Sequence, residues 1–331
     1  MNPLRSAILA AARSDRLRTA ITAARPTRAV VDRFVAGETA ADALRVARAL
    51  VATGCVVSLD HLGEDVTDAS EAGRAVDAYR EVITAIADAG LADRVEVSVK
   101  LSALGQALGA AGSQGAAGAQ GAAGSHGVGG EQAAAGEQIA REHAAAICAA
   151  AAEAGTTVTV DAEDHTTTDA TLRVVAALRE TWPWVGAVLQ AQLRRTEDDC
   201  RALAGAGSRV RLCKGAYAEP ESVAYDTAGD VRASFARCAG ILLDGAGHPM
   251  FATHDPALIR PLTQLPGVST RAEFQMLYGV RPDEQRRLVG EGHTVRVYVP
   301  YGTQWYGYLM RRLAERPANV GFFVRALAGR R

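Results

Sequence analysis

Of the 36 basic residues in this 331-residue sequence, 34 are arginine and only two, Lys100 and Lys214, are lysine. Lysine is ordinarily among the commonest residues. A chain that writes arginine wherever a plain positive charge serves keeps lysine either by chance or where a compact ammonium is needed. Both lysines stand at the ends of short β-rich runs, and the ends of the other runs carry chemistry too. In order they hold Asp60 and His61, Lys100 and Ser102, Asp161 and Glu163, Gln190, Arg211 and Lys214, Thr253 and His254, Glu273 and Gln275, and Tyr298. Burying unpaired charge is expensive, so Lys100, Asp161, Arg211 and Lys214 must pair with one another or with a ligand. A structural ion-pair network would account for any one of these residues. Such groups on seven or eight strand ends at once favour a ligand site.

Three chemistries fit residues of these types. Lys100 or Lys214 could serve as a Schiff-base nucleophile, which needs a depressed pKa in a dry site. Asp161, Glu163, His165 and His254 could gather a divalent metal. A large polar ligand with anionic parts suits the run Lys214-Gly215-Ala216, where small residues after a cation let backbone N–H groups approach a phosphate or a flat ring. A second constellation lies in the segment Trp305–Arg316. There Tyr308 stands three and four residues before Arg311 and Arg312, helical spacing that brings the ring beside both guanidiniums. The pair reads either as a bidentate fork for a carboxylate or as a solvated charged face.

The elements that must position these groups follow from periodicity. β-Rich runs occur at Val56–Leu59, Val95–Leu101, Thr157–Asp161, Ala187–Leu193, Val210–Cys213, Met250–Thr253, Thr270–Gln275 and Val295–Pro300. Helical periodicity fills most of the intervals, as at Ala69–Ala89, Glu137–Ala154, Asp169–Thr181 and Val231–Leu243. The pattern predicts an α/β fold: a closed (β/α)8 TIM-like barrel with N-terminal helices, its interior filled by Val, Ile and Leu. No run is followed by G-x-G-x-x-G, which argues against a doubly wound dinucleotide fold. Residues 1–54 are expected to form a helical arm and 55–331 the catalytic barrel. Within the barrel, residues 105–136 contain 11 glycines and 11 alanines and no proline, which predicts a flexible insert.

Composition removes other classes. With 36 basic and 37 acidic residues the net charge is −1, without the surplus a nucleic-acid binder needs. No apolar run is long enough to span a bilayer and no secretory leader is evident. The five cysteines are never spaced C-x-x-C and fit reduced thiols of a cytoplasmic protein.

Taken together, the runs VSVKLSALG (97–105), TVDAEDH (159–165), GAVLQAQLRR (186–195), RLCKGAYAEP (211–220), FATHDP (251–256), EFQMLYG (273–279) and VYVPYGTQWYGYLMRRLAERPAN (297–319) resemble the proline dehydrogenases (proline oxidases) of the monofunctional bacterial type. The resemblance runs from about Leu59 to the C-terminus and is broken by the Gly/Ala insert. It implies a distorted (β/α)8 barrel with a final helix over the active site, and FAD-dependent oxidation of L-proline to Δ¹-pyrroline-5-carboxylate, with hydride passing from proline C5 to flavin N5. It also implies a quinone as electron acceptor, hence peripheral contact with the inner face of a membrane, and a separate pyrroline-5-carboxylate dehydrogenase downstream. By the same likeness Arg211 contacts the flavin near N5, and Lys214, Gly215 and Ala216 line its ring and phosphates. Gln190 bonds the ring, Ala162 lies against it, and Thr253 and His254 hold the adenine-dinucleotide side. Arg311 and Arg312 clamp the proline carboxylate, and Tyr298 and Tyr308 pack on the pyrrolidine ring. Lys100 and Asp161 form the polar wall, and Glu64 is a gate acid that pairs with Arg311. The chain departs from the family pattern at Gln192, where an aromatic residue is usual, at Ala218, where a larger residue is usual, and in the insert.

Overall fold

Strand side chains alternate between the two faces of a sheet, so each face needs its own environment. Here one face of most strands is apolar and the other carries most of the polar groups. Val57 and Leu59, Val95, Val97 and Val99, Val158 and Val160, Val210 and Leu212, and Val295, Val297 and Val299 are almost wholly buried and share one apolar core with Leu44, Ile83, Ile147 and Phe235 from the helices. Burial of each large aliphatic side chain is worth roughly 1.5–3 kcal/mol before chain entropy is counted, so this shell between strands and helices is the main favourable term.

The computed structural model describes residues 31–64, 66–108 and 126–315, with backbone alone over 126–132 and 311–315. The expected helices before residue 31 and most of the Gly/Ala insert lie outside the described residues. Strands β1 (Val56–His61), β2 (Val95–Val99), β3 (Val158–Val160), β4 (Gly186–Gln190), β5 (Arg209–Cys213), β6 (His248–Ala252), β7 (Glu273–Leu277) and β8 (Thr294–Tyr301) follow one another around a closed parallel barrel. Closure is made by β8 on β1, in the register Ser58 to Tyr298 and Asp60 to Pro300.

Helix α1 (Ala40–Ala52) precedes β1 and starts at a capping box in which Thr39 Oγ1 accepts from Asp42 N and Asp42 Oδ2 accepts from Thr39 N. Helices α2 (Ala69–Asp88), α3 (His126–Ala154), α4 (Thr168–Arg179), α5 (Thr196–Leu203), α6 (Ala228–Asp244), α7 (Pro256–Thr263) and α8 (Pro282–Gly290) connect successive strands. Helix α9 (Trp305–Glu315) follows β8. Its Trp305, Tyr306, Tyr308, Leu309 and Met310 pack with Leu62 beyond β1 and with Val31, Phe34 and Val35. No helix among the described residues is long and apolar enough to cross a membrane.

Local chemistry accounts for three of the boundaries that differ from expectation. The run expected from Thr270 does not begin as a strand, because Gly267 adopts φ +79° and opens a short helical turn over Val268–Arg271. Strand β7 therefore starts at Glu273 and reaches Leu277. Strand β2 stops at Val99, since Leu101–Leu104 form a 3₁₀ turn ended by Gly105 in the left-handed region. Helix α3 begins at His126, within the expected insert. Its buried stripe of Ala140, Ala144, Ile147, Cys148 and Ala151 anchors a helix that the alanine-rich stretch continues toward its N-terminus.

Candidate active site

The barrel interior is not filled by Val, Ile and Leu as expected. Most of those residues face the helices, and apart from Val188 on β4 and Met250 on β6 the buried inward positions include Ser58 and Asp60 on β1, Glu96 and Ser98 on β2, Thr159 on β3 leading to Asp161, Gln190 on β4, Arg211 on β5, and Glu273 and Gln275 on β7. They form two levels.

At the C-terminal mouth, Lys100 Nζ donates to both oxygens of Asp60 at 3.0 and 2.9 Å and lies 3.5 Å from Asp161 Oδ2. Tyr298 Oη donates to Asp161 Oδ2 at 2.6 Å and is 3.2 Å from Lys100 Nζ. Arg211 Nη1 donates to Asp161 Oδ1 at 2.5 Å and to Ser98 Oγ at 2.9 Å. Its Nη2 reaches Ser58 Oγ at 3.4 Å and Glu96 Oε1 at 3.5 Å. The Tyr298 ring lies 5.9 Å from Lys100 Nζ and 5.3 Å from Arg211 Cζ, within cation–π range. Burial works against the Lys100 ammonium, but Asp60 and Asp161 outweigh it and hold its pKa well above the ordinary lysine value. Burial, with Asp161 alongside, raises Asp60. Burial with the same two carboxylates pushes the Tyr298 phenol well up. Lys100 is therefore a fixed cation and Tyr298 a fixed hydrogen-bond donor. Arg211 Nε, by contrast, is buried and has no hydrogen-bond partner among the described residues. An unfilled buried N–H costs about 1–3 kcal/mol, which a bound ligand's acceptor would recover.

The lower level, at the N-terminal ends of the strands, is closed. Glu96 Oε2 accepts from Arg209 at 2.5 Å and from Thr157 at 2.9 Å, and Arg296 grips Glu273 at 2.7 and 3.1 Å. Burial opposes the ionised Glu96, but Arg209, Arg296 and Arg211 prevail and lower its pKa to about 2.

Loops beyond the strands place the remaining candidates. Lys214 Nζ bonds Asp255 Oδ2 at 2.5 Å, with Arg232 at 3.9 Å from the same oxygen, so this lysine pairs across the loops instead of joining Lys100 and Asp161. Gly215 sits at φ +102°, and a Cβ there would meet Gln192 Cδ at 2.2 Å. The turn that leads to Ala216 thus requires glycine. Gln190 Nε2 donates to the Glu163 carbonyl at 2.7 Å and fixes the segment that holds Ala162. Glu163 accepts from Ser102 N at 3.0 Å and Oγ at 2.5 Å, and burial pushes its pKa up to about 6. Glu64 lies near enough to act electrostatically on Lys100 and Glu163. Thr253 Oγ1 accepts from Asp255 N at 3.1 Å, and His254 Nε2 accepts from Leu277 N at 2.9 Å. Tyr308 is buried in the α9 cluster. The side chains of Arg311 and Arg312 lie outside the described residues, so the expected fork and the Glu64–Arg311 pair do too.

Two rival chemistries lose support on this geometry. Lys100 has the reverse of the depressed pKa a Schiff-base nucleophile needs, and Lys214 is engaged by Asp255. The proposed metal ligands diverge: Asp161 to Arg211, Glu163 to Ser102, His165 to Glu219 at 2.5 Å, and His254 to Leu277. Among the described residues no three His, Cys, Asp or Glu side chains gather as a metal site would require. Sequence reasoning placed Asp60 at a strand end without counting it as a site residue, and it passed over Ser58, Glu96 and Ser98. The available signal was the period of two in Ser58-Leu-Asp60 and Glu96-Val-Ser98-Val-Lys100, polar groups at alternate positions of otherwise valine-rich strands.

Comparison with known proteins supplies what geometry alone does not. The Proline dehydrogenase family model matches residues 43–325. Proline dehydrogenase 1 of Bacillus subtilis (strain 168) is 32% identical over 305 residues, covering 91% of each chain. Proline dehydrogenase of Deinococcus radiodurans is 34% identical over 304 residues, 90% of each. The bifunctional protein PutA of Escherichia coli K12 is 28% identical, over 89% of this chain and 24% of that one. In fold, the chain is similar to the crystal structure of proline utilization A from Bdellovibrio bacteriovorus inactivated by N-propargylglycine, with a TM-score of 0.71 and 24% identity over 87% of this chain. The chain spans about a third of the length of that solved protein. The barrel, the charged mouth and a family match that begins in α1 and runs past α9 lead to one conclusion: the chain belongs to the proline dehydrogenase family.

Proposed function

We propose that the protein uses FAD to oxidise L-proline at C5, giving Δ¹-pyrroline-5-carboxylate in the first step of proline breakdown. Family membership supports the enzyme class, an oxidoreductase acting on proline. The observation that carries the finer reading is Arg211, a buried guanidinium held on two sides with one N–H unfilled. A permanent cation with a spare donor fits an acceptor ring that gains negative charge. The turn at Gly215 needs the left-handed backbone that glycine allows, and Gln192 packs where a Cβ would stand.

FAD, when bound, supplies the two-electron acceptor that no side chain can provide. Arg211 would face it, with Gln190, Ala162, Gly215 and Ala216 lining the ring side and Lys214, Thr253 and His254 toward its phosphates and adenine. The chain's own residues do the rest. Arg211, fixed by Asp161 and Glu96, presents positive charge where negative charge develops and needs no reorganisation to do so. Lys100, Asp60, Asp161 and Tyr298 make a rigid polar wall whose mutual bonds hold the substrate side of the mouth. Arg311 and Arg312 would take the proline carboxylate, Tyr308 and Tyr298 the ring, and Glu64 would close the gate with Arg311. Such orientation is worth most when reacting atoms are held near contact distance. Reoxidation by a quinone would bring the cytoplasmic protein to the membrane surface, and a separate pyrroline-5-carboxylate dehydrogenase would consume the product.

The test is the absorption spectrum of purified protein given FAD, before and after L-proline without oxygen. Bleaching of the flavin band by proline is the expected result. A flavin that binds but stays oxidised overturns the substrate. Folded protein that takes up no FAD overturns the cofactor.

A further inference from the structure

We propose that Glu96, in the lower level of the barrel, is a positioning residue that holds Arg211 from beneath and lowers the reduction potential of the bound flavin. The inference rests on the FAD reading above. Glu96 is 1% exposed and sits among polar hydrogens from four other strands or strand ends. Its Oε1 is 3.2 Å from Ser58 Oγ and from Thr159 Oγ1, 3.5 Å from Arg211 Nη2 and 3.6 Å from Arg296 Nε. Ser58 links the same two groups, since its Oγ also meets Arg211 Nη2 at 3.4 Å.

Arg211 is consequently spanned. Asp161 and Ser98 take Nη1, Glu96 and Ser58 take Nη2, and the unfilled Nε keeps one orientation. A guanidinium tied at one end only could turn about its long side chain and lose that orientation to rotamer entropy. The second consequence is electrostatic. Glu96 is held ionised by Arg209 and Arg296, so a full negative charge lies beneath Arg211 in a low-dielectric interior. That charge offsets part of the attraction between Arg211 and an electron-rich reduced ring. The reduced form is therefore less favoured than Arg211 alone would make it.

Glu273 is the matched control. It is an equally buried lower-level carboxylate, but it bonds Arg296 and Gln275 instead of Arg211. The experiment is the flavin midpoint potential of the FAD-loaded protein, by anaerobic dye equilibration, in wild type, Glu96→Gln and Glu273→Gln. Glu96→Gln is expected to raise the reduced-to-oxidised ratio at fixed potential about tenfold, which for a two-electron couple is about 30 mV. Glu273→Gln is expected to change that ratio less than about threefold, since its carboxylate is bonded to Arg296 and Gln275 and not to Arg211. An unchanged potential in Glu96→Gln, or an equal rise in both variants, overturns the proposal. If Glu96→Gln does not fold, Glu96→Asp keeps a carboxylate for the lower-level arginines but draws it back by one methylene from Arg211. It is expected to shift the potential in the same upward direction, and no shift overturns the proposal. Wild-type protein that binds no FAD overturns the cofactor reading and this proposal with it, whereas flavin that binds without responding to Glu96 overturns this proposal alone.

Discussion

The barrel encloses two clusters of charge that differ in how they are closed. In the lower level Glu96 and Glu273 are matched by Arg209 and Arg296, their remaining acceptors are taken by Ser58, Thr157, Thr159 and Gln275, and both carboxylates are held well below the usual range. At the mouth Lys100 and Arg211 match Asp60 and Asp161 in number, yet the balance is strained. Asp60 is raised by burial and by Asp161, Glu163 is raised to about 6, and Arg211 keeps an unfilled N–H. Both clusters occupy the same interior, so burial alone does not produce the difference. Satisfied charge in the lower level gives a rigid base, and incompletely satisfied charge at the mouth gives the place where a ligand gains most.

The largest effect that separates the two is on chemistry. Arg211→Met is expected to slow flavin reduction by proline about 100–1,000-fold, the cost of losing a preorganised charge at the reacting site. Arg209→Met is expected to leave the same stopped-flow rate within about threefold. A similar loss in both would remove the distinction between mouth and lower level. Next comes stability. Lys100→Met leaves Asp60 and Asp161 facing each other without their shared cation, and urea unfolding should show a loss of about 3–5 kcal/mol. Adding Asp60→Asn should recover more than half of it, and failure to do so would locate the cost elsewhere.

The two levels should also respond oppositely to pH. Glu163 at about 6 lies above its ordinary 4.5, so its contribution is fully present below pH 4.5 and lost as pH rises through 6. It is worth roughly 2 kcal/mol. Glu96 at about 2 lies below 4.5, so its contribution is present above pH 4.5 and lost as pH falls toward 2. In Glu163→Gln the rise of the urea midpoint between pH 7 and pH 5 should vanish, and a rise that persists would assign it to another group. The smallest effect sets the scale. Arg287 on α8 pairs with Glu284 and Glu291 on an exposed helix face, and Arg287→Ala should change stability by less than about 1 kcal/mol.

Much of the frame was legible in one dimension. Alternation of apolar and polar residues is a local property, so all eight strands and most helices could be read from short windows. The ends of those strands named Lys100, Asp161, Arg211, Gln190 and Tyr298 as chemistry-bearing, and the motif runs identified the family. The misread boundaries were local competitions. Gly267 opened a helical turn that takes the start of the run expected from Thr270, and the chain after Lys100 went into a 3₁₀ turn ended by Gly105.

Which charges meet is set by the folded chain. Glu96 and Arg211 are 115 residues apart in sequence, Lys100 and Tyr298 are 198 apart, and Lys214 finds Asp255 across 41. Strand register and barrel closure set those pairings, and each depends on every strand in the ring, so no window of sequence contains them. The residue types dictated that charge would be buried. The closed barrel determined which of that charge is paired in the lower level and which, at Arg211, has an N–H without a partner among the described residues.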